Sequence, residues 1–226
     1  MQRRSFLYLT LLASAISTRL VHAQEWEEVL RKAIQSDPEN SVFLGAEPLP
    51  ANDPRWSEAE AVLNSMPTKG SPYQVAKMLN SAVPQTFRKE WPTRFANPLI
   101  VDLFVATNTK PEGDVTAWCA AFMSWCLERV GMESTHSAAS KSYRNFGAAV
   151  WERGQTDFPG RAVEGDIAVF KNLAKPDNGH VAFYVQPDPK AMRRILVLGG
   201  NQSDQIGISS YRMDGNLRLE SIRRIS

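Results

Sequence analysis

The residues of this chain best able to do covalent or acid–base chemistry are two cysteines, Cys119 and Cys126, and three histidines, His22, His136 and His180. Both cysteines lie in A-W-C-A-A-F-M-S-W-C-L-E-R-V (117–130), a run apolar nearly all round until Glu128 and Arg129. It predicts a helix buried on most faces. Thr116 is placed to cap its start and Gly131 to stop it. At 1.5 Å per residue, the α-carbons of the two cysteines are then about 10 Å apart. A disulfide tolerates roughly 7 Å, so the helix forbids their pairing. Cys126, among Phe122, Met123 and Trp125, reads as a small buried hydrophobe. Cys119 falls in the first turn, where free amide N–H groups and the helix dipole favour a thiolate.

A thiolate nucleophile needs a base. His136 sits in the polar run E-S-T-H-S and reads as a surface residue. His180 opens G-H-V-A-F-Y-V (179–185), which has the texture of a strand, as does R-I-L-V-L-G-G-N (194–201). Joined through Gln186–Arg193 as a hairpin, these strands set Asn201 opposite His180. A carboxamide there can hold one ring nitrogen and leave the other for a thiol. Cysteine, histidine and asparagine then form a thiol nucleophile system in the chain order of papain-like enzymes. The cysteines and histidines lack any recognised zinc-ligand spacing.

The elements that position these residues fall into two textures. Nine of the 14 prolines lie between 38 and 98 and keep the elements there short. An amphipathic helix is read over 24–36, and a second helix capped by Ser57 with Glu60 and closed by Pro67. A third is read over Tyr73–Ala82, and a short buried helix over 98–106. After the cysteine helix, 140–153 reads as another helix around Tyr143, Phe146 and Val150. Strands follow at 165–170, 179–185, 194–201, 206–211 and 217–225. Helices followed by antiparallel strands define an α+β class.

The N-terminus reads as an address rather than as fold. Arg3 and Arg4 precede an apolar stretch of about 11 residues, and Val21-His22-Ala23 supplies small residues for cleavage. The string R-R-S-F-L matches a twin-arginine export signal. Residues 1–23 are thus expected to be a signal peptide, and the product periplasmic or secreted from a bacterium. Losing Arg3, Arg4 and Arg19 turns the formal charge of +2 into −1, with 23 basic and 24 acidic side chains. Such a balance does not suggest nucleic-acid binding. No apolar run reaches 18 residues, so no integral membrane segment is expected after cleavage. Hydrophobic content of 43% with 22% charged residues is that of a globular protein.

Four segments together, T-A-W-C-A-A-F (116–122), G-D-I-A-V-F (165–170), G-H-V-A-F-Y-V (179–185) and L-G-G-N-Q (198–202), resemble the CHAP family of cysteine amidohydrolases and peptidases, within the NlpC/P60 papain-like group. The resemblance covers 97–226 and thins out upstream. It implies a papain-like α+β domain over 97–226, with the nucleophile at a helix start packed on an antiparallel sheet. A helical, proline-rich segment over 24–96 precedes it. It implies cleavage of peptidoglycan, as an N-acetylmuramoyl-L-alanine amidase or a stem-peptide endopeptidase, with no metal or organic cofactor. Cys119 matches the nucleophile, His180 the general base and Asn201 the orienting polar residue. Gln202 and Asp204 are nearby alternatives for the third role, and Gly199 stands where some members carry a glutamate. Asp166 matches a common family aspartate, read as a turn or strand-entry cap. Trp118 either lines the substrate groove or is a buried aromatic; Asp114 either contacts substrate or is a loop charge. The competing reading is a catalytically degenerate cell-wall-binding or scaffold protein on the same fold. The sequence leaves the oligomeric state open.

Overall fold

The computed structural model describes residues 47–111 and 113–225. The signal read over 1–23 and the helix read over 24–36 lie outside the described residues. The first described elements are helices α1 (Pro54–Asn64), α2 (Pro72–Ser81) and α3 (Gln85–Arg88). Asp53, not Ser57, caps α1: its carboxylate accepts from the Arg55 N–H at 3.0 Å. The cap therefore falls before Pro54, whose missing N–H is harmless in the first turn, while the Ser57 hydroxyl bonds to the Pro54 carbonyl. Ser71 and Gln74 cap α2 reciprocally.

Residues 98–106 form α4 (Pro98–Asp102) running into a 3-10 turn, Leu103–Ala106. Next comes α5 (Cys119–Arg129), whose residues 119–127 are all buried. It ends in a Schellman turn: Gly131, at φ 79°, donates to Glu128 O and Met132 donates to Leu127 O. Its cap position is held by Trp118 rather than Thr116, so Cys119 is the first helical residue.

The helix read over 140–153 is instead a 3-10 turn, Ser140–Asn145, followed by strand β1 (Ala148–Glu152). Gly147 explains the change. A Cβ there would lie 2.5 Å from the Arg224 carbonyl oxygen. Its φ of 71° brings the chain directly onto the neighbouring strand. Five more strands follow: β2 (Ile167–Asn172), β3 (Gly179–Pro187), β4 (Arg194–Gly199), β5 (Gly207–Arg212) and β6 (Leu217–Arg224). They form one antiparallel sheet in the order β1-β6-β2-β3-β4-β5.

Both faces of the central strands are buried, which is why they read as nearly continuous apolar runs. Val169, Val181, Phe183 and Leu198 face the helices. Phe170, Ala182, Tyr184 and Val197 pack with Trp151 in a second cluster. The helical core is shared along the chain: Tyr73, Val75, Leu79 and Phe87 of the N-terminal segment pack in the same cluster as α5 and the sheet. Asp166 closes the turn into β2, accepting from the Val163 N–H and from Arg224 on β6.

Candidate active site

Two elements bring the thiol and the imidazole into one site. Cys119 opens α5, and the nearby backbone N–H groups of Val181, Ala120 and Cys119 favour its thiolate. Val181 directly follows His180 on β3, so the thiol rests against the strand that carries the histidine. Gly179 permits this start of the strand. A Cβ there would meet the Phe170 carbonyl oxygen at 2.2 Å.

Both groups are nearly dry. Burial pushes the Cys119 thiol above its ordinary range, with the three N–H groups opposing. Burial lowers His180 from 6.5 to about 4, opposed by the Gln202 side chain. The resting site thus holds a neutral thiol and a neutral imidazole. The ring is clamped by aromatics: Tyr211 stacks on it at 5.0 Å and 8°, and Phe170 lies at 6.2 Å on the paired strand. Tyr211 in turn is pushed up to about 12, by burial and then by Cys119.

The third residue is placed by a break in the hairpin. Phe183 pairs with Leu198 and Tyr184 with Val197, the register that sets His180 level with Asn201. The ladder stops short of that level, because β4 ends at Gly199. At Gly200 the chain passes so close to α5 that a Cβ would lie 2.4 Å from the Trp118 ring. Asn201 then takes φ 53° and is half-buried, with no side-chain hydrogen bond among the described residues. Gln202 folds back into the protein instead, with 1% of its surface exposed. Its amide nitrogen donates to the carbonyls of Val197, Gly199 and Gly207. Those three bonds fix the orientation of the carboxamide. Among the described residues, its Oε1 and His180 Nε2 are both buried with no hydrogen-bond partner, and the nearby carboxamide raises the proton affinity of the ring. The side chain turned toward His180 is therefore Gln202, and Asn201 supplies the bend before it.

Trp118, read as a groove wall or a buried aromatic, and Asp114, read as a substrate contact or a loop charge, have no exposed surface. Trp118 packs under Gly200, and its indole N–H donates to Glu90 Oε1 at 2.9 Å. Asp114 accepts from the backbone N–H groups of Asn97 at 2.6 Å and Trp91 at 3.1 Å. It ties two loop turns together inside the protein, so the groove reading of both residues is replaced by an internal one. Cys126 is fully buried, and both cysteines are free. His136 is on the surface beside Glu128, at 3.0 Å. Glu90 was silent in the sequence. Only the fold brings it, 28 residues upstream, against the neighbour of Cys119.

A free cysteine opening a buried helix, set against a histidine strand of an antiparallel sheet, defines an α+β domain with a thiol–imidazole site. Residues 110–201 match the family model of the CHAP domain. CHAP domains are generally hydrolases that act on peptidoglycan. No curated protein and no solved structure matches the chain. The matched segment runs from just before α5 through β4 to Asn201, and so contains Cys119 and His180. Among the described residues, no helix is long and apolar enough to cross a membrane.

Proposed function

We propose that the protein is an exported bacterial cysteine hydrolase that cleaves an amide bond of peptidoglycan, using Cys119, His180 and Gln202 on a papain-like scaffold. The observation that carries this reading is the junction of α5 and β3. There Cys119 opens the helix beside Val181, the residue after His180, and backbone N–H groups of Val181, Ala120 and Cys119 favour its thiolate. In this mechanism the neutral imidazole takes the thiol proton as the sulfur attacks the amide carbonyl. The thiolate forms only when substrate is present, because burial disfavours both charged forms beforehand. N–H groups at the helix start receive the developing oxyanion. His180 then protonates the leaving amine, and afterwards activates water to release the acyl group from sulfur. Gln202 keeps the ring oriented and stabilises the imidazolium through its carboxamide oxygen.

The bond is either that between glycan and stem peptide or one within the peptide. Export through the twin-arginine route would deliver the folded enzyme to the wall. Incubation of the purified protein with cell-wall sacculi is expected to release soluble muropeptides, and Cys119→Ala is expected to abolish the release. Equal release by the two proteins refutes the nucleophile, and absence of release by both favours the wall-binding alternative. Mass spectrometry of the products distinguishes amidase from endopeptidase.

A further inference from the structure

The loop after β4 holds Gln202 in a conformation that the loop does not choose for itself. Asn201, Ser203 and Asp204 stand at φ 53°, 54° and 60°, three left-handed residues within four, none of them glycine. L-residues avoid this region because Cβ crowds the following carbonyl. Such geometry persists only where the surroundings impose it. One bond is internal: Gln202 N–H to Gln205 O at 2.9 Å. The rest of the restraint comes from the N-terminal segment. Glu90 N–H donates to Asp204 O at 2.8 Å, Ile206 N–H donates to Arg88 O at 2.7 Å, and Lys89 bridges Gln205 antiparallel. Lys89 thus makes an isolated bridge to the loop, flanked by the backbone bonds of Arg88 and Glu90.

The same segment reaches the nucleophile. Glu90 Oε1 accepts the indole N–H of Trp118. Trp118 is the cap residue of α5, next to Cys119, and its ring lies under Gly200, where the loop begins. Glu90 therefore meets the residue before the thiol through its carboxylate and the loop that presents the carboxamide through its backbone N–H.

We infer that Glu90 is a positioning residue for the Cys119 site, tying the N-terminal segment at once to Trp118 and to the loop carrying Gln202. The inference rests on the reading of Cys119 as nucleophile. It also gives residues 88–90 a part in the active site, although they lie outside the matched domain segment. Burial first, and then Asp204 and Asp114, push the Glu90 carboxyl up to about 7, against the opposing Trp118 bond. A glutamine, which keeps the acceptor oxygen without charge, is accordingly the conservative replacement.

The test compares the protein with its Glu90→Leu, Glu90→Gln and Trp118→Phe variants. Two rates are read: alkylation of Cys119 by iodoacetamide, followed by mass spectrometry, and release of muropeptides from sacculi. Glu90→Leu is expected to slow both at least tenfold while circular dichroism shows the fold intact. Glu90→Gln is expected to recover most of the loss. Trp118→Phe removes the donor and is expected to resemble Glu90→Leu, with the double variant no slower than either single one, since both break one interaction. Rates within twofold of the parent in Glu90→Leu overturn the inference, as do losses that multiply in the double variant. Should Glu90→Leu fail to fold, Trp118→Phe decides alone: parental rates in that variant overturn the inference. Release by Cys119→Ala would instead overturn the nucleophile, so the two failures are separable.

Discussion

Acid should loosen this protein through His180, and by an amount that the burial of the ring sets. Folding takes the imidazole from water into a site bounded by Phe170, Tyr211 and Gln202, where burial lowers its pKa from 6.5 to about 4. Gln202 offsets only part of that effect. Because the folded pKa is depressed, the unfolded chain binds the proton first as pH falls. Stability is untouched above about pH 7, and is lost from near pH 6.5 down to about pH 4. By linkage the loss is about 2 kcal/mol at pH 5 and about 3 kcal/mol at pH 4. The whole-protein curve will not isolate this contribution. Glu90 and Asp102, raised by burial to about 7 and about 6, act with the opposite sign, favouring the folded state as pH falls. The informative quantity is the difference between the protein and its His180→Gln variant in urea unfolding at pH 7.5, 6, 5 and 4.5. The parent should lose about 2 kcal/mol more than the variant between pH 7.5 and pH 5. A difference that stays constant across that range would refute the picture of a dry, neutral imidazole.

Three further outcomes follow from the same geometry. Gln202→Leu should lower muropeptide release by one to two orders of magnitude with the fold retained, whereas Asn201→Ala should stay within about threefold of the parent, because only the former is turned toward His180. Gly200→Ala forces a methyl group into the Trp118 ring and should cost about 1–3 kcal/mol in chemical denaturation, with a matching fall in Cys119 alkylation. Removing residues 47–96 should give insoluble protein rather than a freed catalytic domain, since Tyr73, Val75, Leu79 and Phe87 belong to the core that holds α5; a soluble, cooperatively unfolding product would contradict that.

Much of this architecture was written in pattern. The strands beginning near 167, 179, 194, 207 and 217 stand out because apolar runs bounded by glycine or turn residues have few other uses. The cysteine helix and its Gly131 stop were equally legible. Boundaries set by competition between neighbours were less so. Thr116 is a good cap by type, yet the helix begins only where Trp118 can bury its ring under Gly200 and give its N–H to Glu90. The stretch 140–153 carries apolar residues at helical spacing, but Ala149 and Trp151 are worth more as partners along β6. Sequence leaves Trp118 between groove wall and buried aromatic, and Asp114 between substrate contact and loop charge, because it cannot see the long-range bonds that take both inside.

The gap between Asn201 and Gln202 has a sharper cause. Hairpin symmetry correctly gives the register, and register alone sets Asn201 opposite His180. What it omits is where pairing ends. Gly199 and Gly200 carry no side chain because Ala182 and the Trp118 ring occupy the space a Cβ would need. A strand pressed that closely against helix and sheet cannot continue flat, and at Asn201 it bends through a left-handed turn. In a strand, a shift of one residue sends a side chain to the opposite face. Here the bend does the same. It leaves Asn201 half-buried and brings Gln202 in, where the carbonyls of Val197, Gly199 and Gly207 accept from its amide nitrogen. The carboxamide that sequence placed by counting is thus supplied one residue later by the packing of Trp118, the residue that also starts the helix of Cys119.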